Sequence, residues 1–193
     1  MDKLNPDCLR LIFTNLDVHD LVSVSMVCKE WKTVAYRKQL WKPLCIKLTC
    51  GSKAFSSTML RSLKKRGVTN VMIREADRTA GAFKLKQLQR VIQHLYSTLH
   101  TLDIADFELG TRQIQAVFNK EMSNLKSLKL PCLSSPTSIL HVSQVCPKLH
   151  TLVSVNAYIH DQMIETLVCN MPDLKELVAA PTAFSTDDTM RDL

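Results

Sequence analysis

Apolar residues recur along this chain in two rhythms. Over the first forty positions the spacing is helical. Leu9, Ile12, Phe13 and Leu16 fall at i, i+3, i+4 and i+7, one stripe of an amphipathic helix. Asn5-Pro6-Asp7 supplies its start: a proline in the first turn forfeits no hydrogen bond, and an acid there suits the helix dipole. Leu21, Val24, Val27, Cys28 and Trp31 repeat the spacing, with Asp17 or Asp20 as the cap. Val34, Ala35 and Leu40 predict a third short helix. Three such helices bury too little surface to be stable alone, so they are expected to lean on the remainder of the chain.

The second rhythm is a repeat. "LHTLDI" begins at Leu99, "LKSLKL" at Leu125, "LHTLVS" at Leu149 and "LKELVA" at Leu174, at spacings of 26, 24 and 25 residues. Looser copies, "WKPLCI" from Trp41 and "VTNVMI" from Val68, precede them at spacings of 27 and 31. Between copies lie helical faces: Leu85, Leu88, Val91, Ile92 and Leu95; Ile114, Val117 and Phe118; Ile139, Val142, Val145 and Cys146; Met163, Ile164, Leu167 and Val168. Each unit reads as a short strand followed by a helix, and neither element can bury its apolar side without the neighbouring unit. L-x-x-L-x-L at this period resembles a leucine-rich repeat. The fit is irregular. Ser154 and Ala179 stand at the third apolar place, and Phe107, Leu133, Ala157 and Thr182 stand where the repeat expects Asn or Cys. A doubly wound α/β sheet shares the strand–helix alternation, but no Gly-rich phosphate turn is present and the chain has only 4 glycines. The expected fold is an α/β solenoid of short, irregular leucine-rich repeats, about five to six over residues 43–193, behind a helical module over residues 1–42. "TAFSTDDTMRDL" starts a fresh helix at Ser185 or Thr186 without a polar cap over the last repeat, which predicts a truncated chain.

Composition narrows the function classes. Among 193 residues no apolar run reaches membrane-spanning length, and "MDKLNPDCLRLIF" has no secretory pattern, so the expected compartment is cytoplasm, nucleus or both. The 7 cysteines are odd in number and form no CxxC, which predicts buried single thiols rather than a disulfide framework or a zinc knuckle. The net charge of +7 is lopsided: residues 1–98 hold 18 Lys and Arg against 7 Asp and Glu, and residues 99–193 hold 7 against 11. Between Lys29 and Arg66 the one acid is Glu30. Such a patch can steer an acidic protein or a nucleic acid, or be a solvated face.

Residues 4–41 resemble an F-box. The matching positions are Leu4, Leu9, Ile12-Phe13, Leu16, Asp20-Leu21, Val27-Cys28-Lys29-Glu30-Trp31 and Leu40-Trp41. Asn5 stands where the family usually has proline, Pro6 comes one later, and Asp7 replaces a glutamate. The repeats behind it are similar to those of the F-box/leucine-rich-repeat subfamily. The resemblance implies a three-helix F-box module and the role of substrate receptor in a Skp–cullin–F-box ubiquitin ligase. The helices would dock on a Skp-family adapter, and through it on cullin, while the repeats hold a protein substrate for ubiquitination and proteasomal degradation. The adapter contact would draw on Leu4, Pro6, Leu9, Ile12, Leu21, Val27, Cys28 and Trp31. Ubiquitin chemistry would belong to other subunits, so no catalytic residue, cofactor or metal is expected here, nor a membrane or nucleic acid as partner. The second reading is a non-ligase basic repeat scaffold that binds nucleic acid or an acidic protein.

The residues agree with a receptor rather than an enzyme. Trp31 reads as an anchor at the end of a stripe, partly core and partly contact. Cys28 has no histidine near it in sequence except His19, so it reads as a small buried hydrophobe and not a nucleophile. The six histidines form no HExxH. His100 and His150 hold the same place in two repeats. No G-x-S-x-G, P-loop or Rossmann fingerprint occurs. Alternation along the strands places two columns on the side away from the core. One is Pro43, Asn70, Thr101, Ser127, Thr151 and Glu176; the other is Cys45, Met72, Asp103, Lys129, Val153 and Val178. Met72, Arg74, Asp103, Lys129, Val153 and Val178 are the candidate substrate-binding residues, with Arg74 and Lys129 suited to a phosphorylated ligand. Val153 and Val178 form an exposed apolar patch, unless Ser154 and Ala179 signal a one-residue slip that buries them.

Overall fold

A computed structural model describes residues 4–51, 55–75, 81–133, 135–155 and 161–180. The chain opens with α1 (Pro6–Phe13). The Asn5 side chain accepts the amide of Asp7 at 3.0 Å, and Pro6 occupies the first helical position. α2 (Val18–Val24) is capped by Asp17, which accepts the amide of Asp20 at 2.8 Å.

The stripe expected to run on to Trp31 breaks here. Ser23 and Ser25 donate their hydroxyls back to the carbonyls of His19 and Val22, which offers the backbone an alternative to further helix. A new helix, α3 (Lys29–Ala35), then starts with Cys28 in extended conformation as its N-cap. The Cys28 Sγ accepts the amide of Trp31 at 3.5 Å. A separate α4 (Lys38–Trp41) comes next, so the first forty residues hold four helices where three were expected. Val27 is 64% exposed and Cys28 is exposed, a departure from the buried stripe. "VCKEW" is therefore a helix start. Phe13 meets Trp31 edge-on, with centroids 5.5 Å apart.

Beyond the helices lie, among the described residues, six strands: β1 (Cys45–Cys50), β2 (Asn70–Glu75), β3 (Thr101–Asp103), β4 (Ser127–Leu130), β5 (Thr151–Val155) and β6 (Glu176–Ala180). They form one parallel sheet in strict chain order. The connections carry α5 (Ser57–Arg66), α6 (Gly81–Leu95), α7 (Thr111–Val117), α8 (Pro136–Val145) and α9 (Asp161–Asn170), each packed on the next. Along the strands burial alternates. Ile46, Leu48, Val71, Ile73, Leu102, Leu128, Leu130 and Leu152 are buried, and their neighbours are open or half-open. One face of the sheet thus meets the helices and the other meets solvent. A doubly wound sheet has a reversal of strand order and helices on both faces; among the described residues this sheet has neither. A regular ladder ties the strand starts together. The carbonyls of Thr69, His100, Lys126 and His150 each accept two successive amides of the next unit at 2.7–3.1 Å.

The first repeat copy is out of phase with its sequence reading. Cys45 pairs with Asn70, and Ile46 and Leu48 take the core places. The copy is therefore "PLCIKL" from Pro43, not "WKPLCI" from Trp41. Trp41 belongs to α4, where its Nε1 donates to the Ala35 carbonyl at 2.6 Å. The Lys42 carbonyl accepts from Thr69 Oγ1 and Asn70 Nδ2, both at 2.9 Å, and this sets where β2 starts against it.

No one-residue slip occurs at β5. Ser154 is fully buried, accepts the Leu133 amide at 3.0 Å and donates to the Pro131 carbonyl at 3.2 Å. Val153 stays on the open face beside Val178. On α9 only Met163 and Leu167 are buried; Ile164 and Val168 are exposed, because no further helix among the described residues covers them. Of the cysteines, Cys50 and Cys146 are buried, Cys132 is half-buried, and Cys8, Cys28, Cys45 and Cys169 are exposed, against the expectation of buried thiols. Ala157, Thr182, Ser185 and Thr186 lie outside the described residues. A single apolar core runs from Leu9 to Met171 and joins the N-terminal helices to the sheet.

Candidate functional site: a helical face and an open sheet face

Two surfaces present chemistry. The first is the outside of the N-terminal helices. α1 and α2 spend their few core residues inward and leave other apolar side chains in water. Leu4 is 53% exposed, Ile12 50% and Val27 64%; Pro6 and Cys28 are exposed too. Leu9 and Leu21, also in the expected contact set, are interior in this chain, where their side chains hold the helices together. Trp31 is half-buried against Phe13. Met26 at 74% and Leu11 at 58% are exposed apolar residues that the sequence pattern did not single out. Leu11 sits one place off the α1 stripe, which was the available signal. Met26 became visible only with the turn between α2 and α3. That turn and α3 line a cleft of about 440 Å³ with Ser25, Met26, Cys28, Lys29, Lys32 and Tyr36.

The second surface is the open sheet face. Met72, Asp103, Lys129, Val153 and Val178 are successive register partners, so the five stand in one row across five strands, with about 4.8 Å between neighbours. Lys47, not Cys45, begins that row, and Cys45, not Pro43, begins the parallel row of Asn70, Thr101, Ser127, Thr151 and Glu176. Arg74 lies one alternation beyond Met72 and is already engaged. It donates to both carboxylate oxygens of Asp103 at 3.0 Å, and its Nε lies 3.3 Å from Asp106. The hydrogen bonds to Asp103 hold the guanidinium above its ordinary pKa. Arg74 is thus not a free cation for a phosphate, whereas Lys129 has no carboxylate within 4.0 Å among the described residues. Partial burial, and then the nearby Asp103, push the Cys45 thiol up.

Beyond the strand ends, the segment 105–110 borders a cleft of about 700 Å³ shared with Gln113, Pro131 and Cys132. It also borders a smaller one of about 260 Å³ reaching Glu75 and Lys84. Lys84 is buried and lies 3.5 Å from Glu75. Nothing in the repeat pattern foretold these clefts, because they depend on where loops rest. His100 and His150 each place Nδ1 against the carbonyl two residues back, at 3.0 and 2.8 Å, a feature of the repeat. Among the described residues no group of three His, Cys, Asp or Glu could hold a metal ion, and no helix is long and apolar enough to cross a membrane.

Comparison with known proteins bears on these surfaces. Residues 4–47 match the F-box-like family. The match covers α1 to α4 and runs into β1. The chain is also similar to F-box protein FBW2 of Arabidopsis thaliana, 27% identical over 211 residues, which takes in 98% of this chain and 62% of the relative. The chain therefore spans under two thirds of that relative's length. An F-box-like domain thus stands at the N-terminus, followed by an α/β region with a parallel sheet.

Proposed function

We propose that this chain is the substrate-recognition subunit of a Skp–cullin–F-box ubiquitin ligase. The F-box helices dock on a Skp-family adapter, and through it on cullin. The α/β region, a short irregular leucine-rich-repeat solenoid, holds a protein substrate whose fate is ubiquitination and proteasomal degradation. The observation that carries this reading is the coincidence of the F-box-like match with the helical surface on which Leu4, Ile12 and Val27 stand exposed. Apolar side chains left open on the same short module that the family match covers suit a surface that a partner covers. The solenoid reading draws on strict strand order, the one-sided placement of helices and the carbonyl ladder. The adapter-facing set is Leu4, Pro6, Ile12, Val27, Cys28 and the open side of Trp31. The substrate-facing set is Met72, Asp103, Lys129, Val153 and Val178, with Arg74 holding Asp103 in place.

Co-purification with a Skp-family adapter tests this. Wild type is compared with an Ile12→Glu/Val27→Glu double variant, whose fold is checked by circular dichroism. Both positions are exposed, so the variant should fold. Stoichiometric binding by wild type and loss in the folded variant is the expected result. A well-folded wild type that ignores the adapter would sink the ligase reading.

A further inference from the structure

A basic strip crosses the junction between the F-box-like helices and the first repeats. It begins at Lys29 and Lys32 on α3. Lys32 Nζ lies 5.9 Å from the ring centre of Tyr36, and the Arg66 guanidinium covers the same ring at 4.1 Å and that of Trp41 at 4.3 Å. Arg66 ends α5. Successive helix residues point about 100° apart, so Lys64, Lys65 and Arg66 fan across that last turn. Lys64 reaches Tyr96 at 5.7 Å, Lys120 caps the same ring at 4.9 Å, and Lys65 is exposed. The stem of Lys38 packs beside Gly67, which closes the gap between α4 and α5. Four places in the chain, α3, α4, α5 and the turn after α7, thus contribute cations to one stretch of surface, and the flank of α6 adds the Tyr96 ring.

The strip is uncompensated. Among the described residues, no carboxylate lies within 4.0 Å of Lys29, Lys32, Lys38, Lys64, Lys65, Arg66 or Lys120. Arg37, at the strip's edge, does have such a partner in Asp7, as do Arg10, Arg74 and Lys84 elsewhere on the chain. The Nε of Arg66 is buried with no hydrogen-bond acceptor. Two aromatic rings offset its charge only in part.

We propose that this strip is a second interaction surface, one that adjoins the adapter face at the α3 cleft and is distinct from it over α5 and Lys120, and that it binds a carboxylate-rich segment of a protein. Three observations favour an acidic protein over a nucleic acid. Tyr36 already carries Arg66 and Lys32 over its ring and Tyr96 carries Lys120 and Lys64, so a base would have to displace a cation to stack on either. Where its cations are densest, at Lys64, Lys65 and Arg66, the strip lies on the carbonyl end of α5, and the amide ends it touches, at Lys29 and Lys38, belong to helices of only 7 and 4 residues. Its outer charges are lysines, mobile point charges that suit an irregular run of Asp and Glu and give no bidentate grip on a phosphate.

The test is fluorescence anisotropy of a labelled glutamate-rich peptide with the full chain, beside a labelled DNA duplex of equal charge. Lys64→Gln/Lys65→Gln/Lys120→Gln removes three exposed charges of the strip. Lys126→Gln/Lys148→Gln/Lys175→Gln removes three exposed charges away from it. Peptide binding that weakens steeply with salt is expected, with about a tenfold or greater loss in the strip variant and little change in the control. Equal loss in both variants would reduce the effect to net charge and overturn the proposal. So would tighter binding of the duplex than of the peptide, which would assign the strip to nucleic acid, or no peptide binding at low salt. Adapter co-purification is expected to be unchanged in the strip variant, and its loss there would overturn the separation of the two surfaces.

Discussion

Ser154 stands where the repeat pattern asks for leucine, and its replacement separates two accounts of the sheet. A hydrophobicity argument says that Ser154→Val should stabilise, at about 0.8 kcal/mol for each buried methylene equivalent. The structure says the reverse. The Ser154 hydroxyl accepts the Leu133 amide at 3.0 Å and donates to the Pro131 carbonyl at 3.2 Å, in a site closed to solvent. Valine or alanine leaves a buried N–H without an acceptor, which costs about 1–3 kcal/mol. Valine adds volume to a packed interior without restoring the bond. Both variants should therefore be destabilised, Ser154→Val no less than Ser154→Ala, with a melting temperature lower by roughly 3–10 °C for a chain of this size. Urea denaturation followed by far-ultraviolet circular dichroism reads the sheet directly. The 2 tryptophans, Trp31 and Trp41, both report from the N-terminal helices. Coincident fluorescence and dichroism transitions would show that the shared core unfolds as one. A Ser154→Val variant as stable as wild type, or more stable, would refute the hydrogen-bond argument and reopen the strand register.

Three further outcomes are expected. Gly67 closes α5 at φ 75°, in the left-handed region, and a Cβ there would come within 3.2 Å of the Lys38 stem; Gly67→Ala should cost about 1 kcal/mol or more, checked by thermal melting. Trp41→Phe keeps most of the buried ring but orphans the Ala35 carbonyl and thins the support under Arg66, so a loss of about 1–3 kcal/mol is expected in urea, against roughly 3–5 kcal/mol for Trp41→Ala. Burial pushes the Cys50 thiol up to about 11 and the Cys146 thiol to about 12, each from 9.0. Maleimide at mildly alkaline pH should therefore label exposed Cys8, Cys28 and Cys169 in the native chain and spare Cys50 and Cys146 until denaturant is added. The same two thiols ionise more readily when unfolded, so their contribution to stability is whole below pH 9 and is lost as pH rises through 11 and 12. Urea midpoints compared across that range check the sign.

The repeat was legible wherever leucine did one job. At Leu99, Leu125 and Leu149, all buried, and at the half-buried Leu174 the sequence phase and the strand coincide, because those side chains have nowhere apolar to go except toward the interior. It failed at Trp41, which looks like the first leucine of a copy but is claimed by α4 and the Ala35 carbonyl. Periodicity counts apolar residues and does not say which core they fill. It failed again at Val27 and Cys28, where helical spacing continued across a turn that the serine hydroxyls helped to make. The row of Met72, Asp103, Lys129, Val153 and Val178 was legible from alternation alone. The capture of Arg74 by Asp103 and Asp106 was not, since it joins residues 29 and 32 positions apart through strand pairing. The clefts around 105–110 depend on loop paths, which no apolar rhythm encodes.

The continuous core between the N-terminal helices and the sheet has a mechanical consequence. With Trp41 buried at the junction and the apolar interior running unbroken into β1, swinging the strands against the F-box-like helices would break that core, so the two are expected to move together. Each strand carries the open face about 4.8 Å further out, so β6 lies about 24 Å of arc from β1. Under the proposed function, the strand on which a ligand settles fixes its distance from whatever the helices hold. A cargo seated on Val178 would be presented at a different radius from one seated on Met72, and reach would be selected by address along the sheet instead of by flexing.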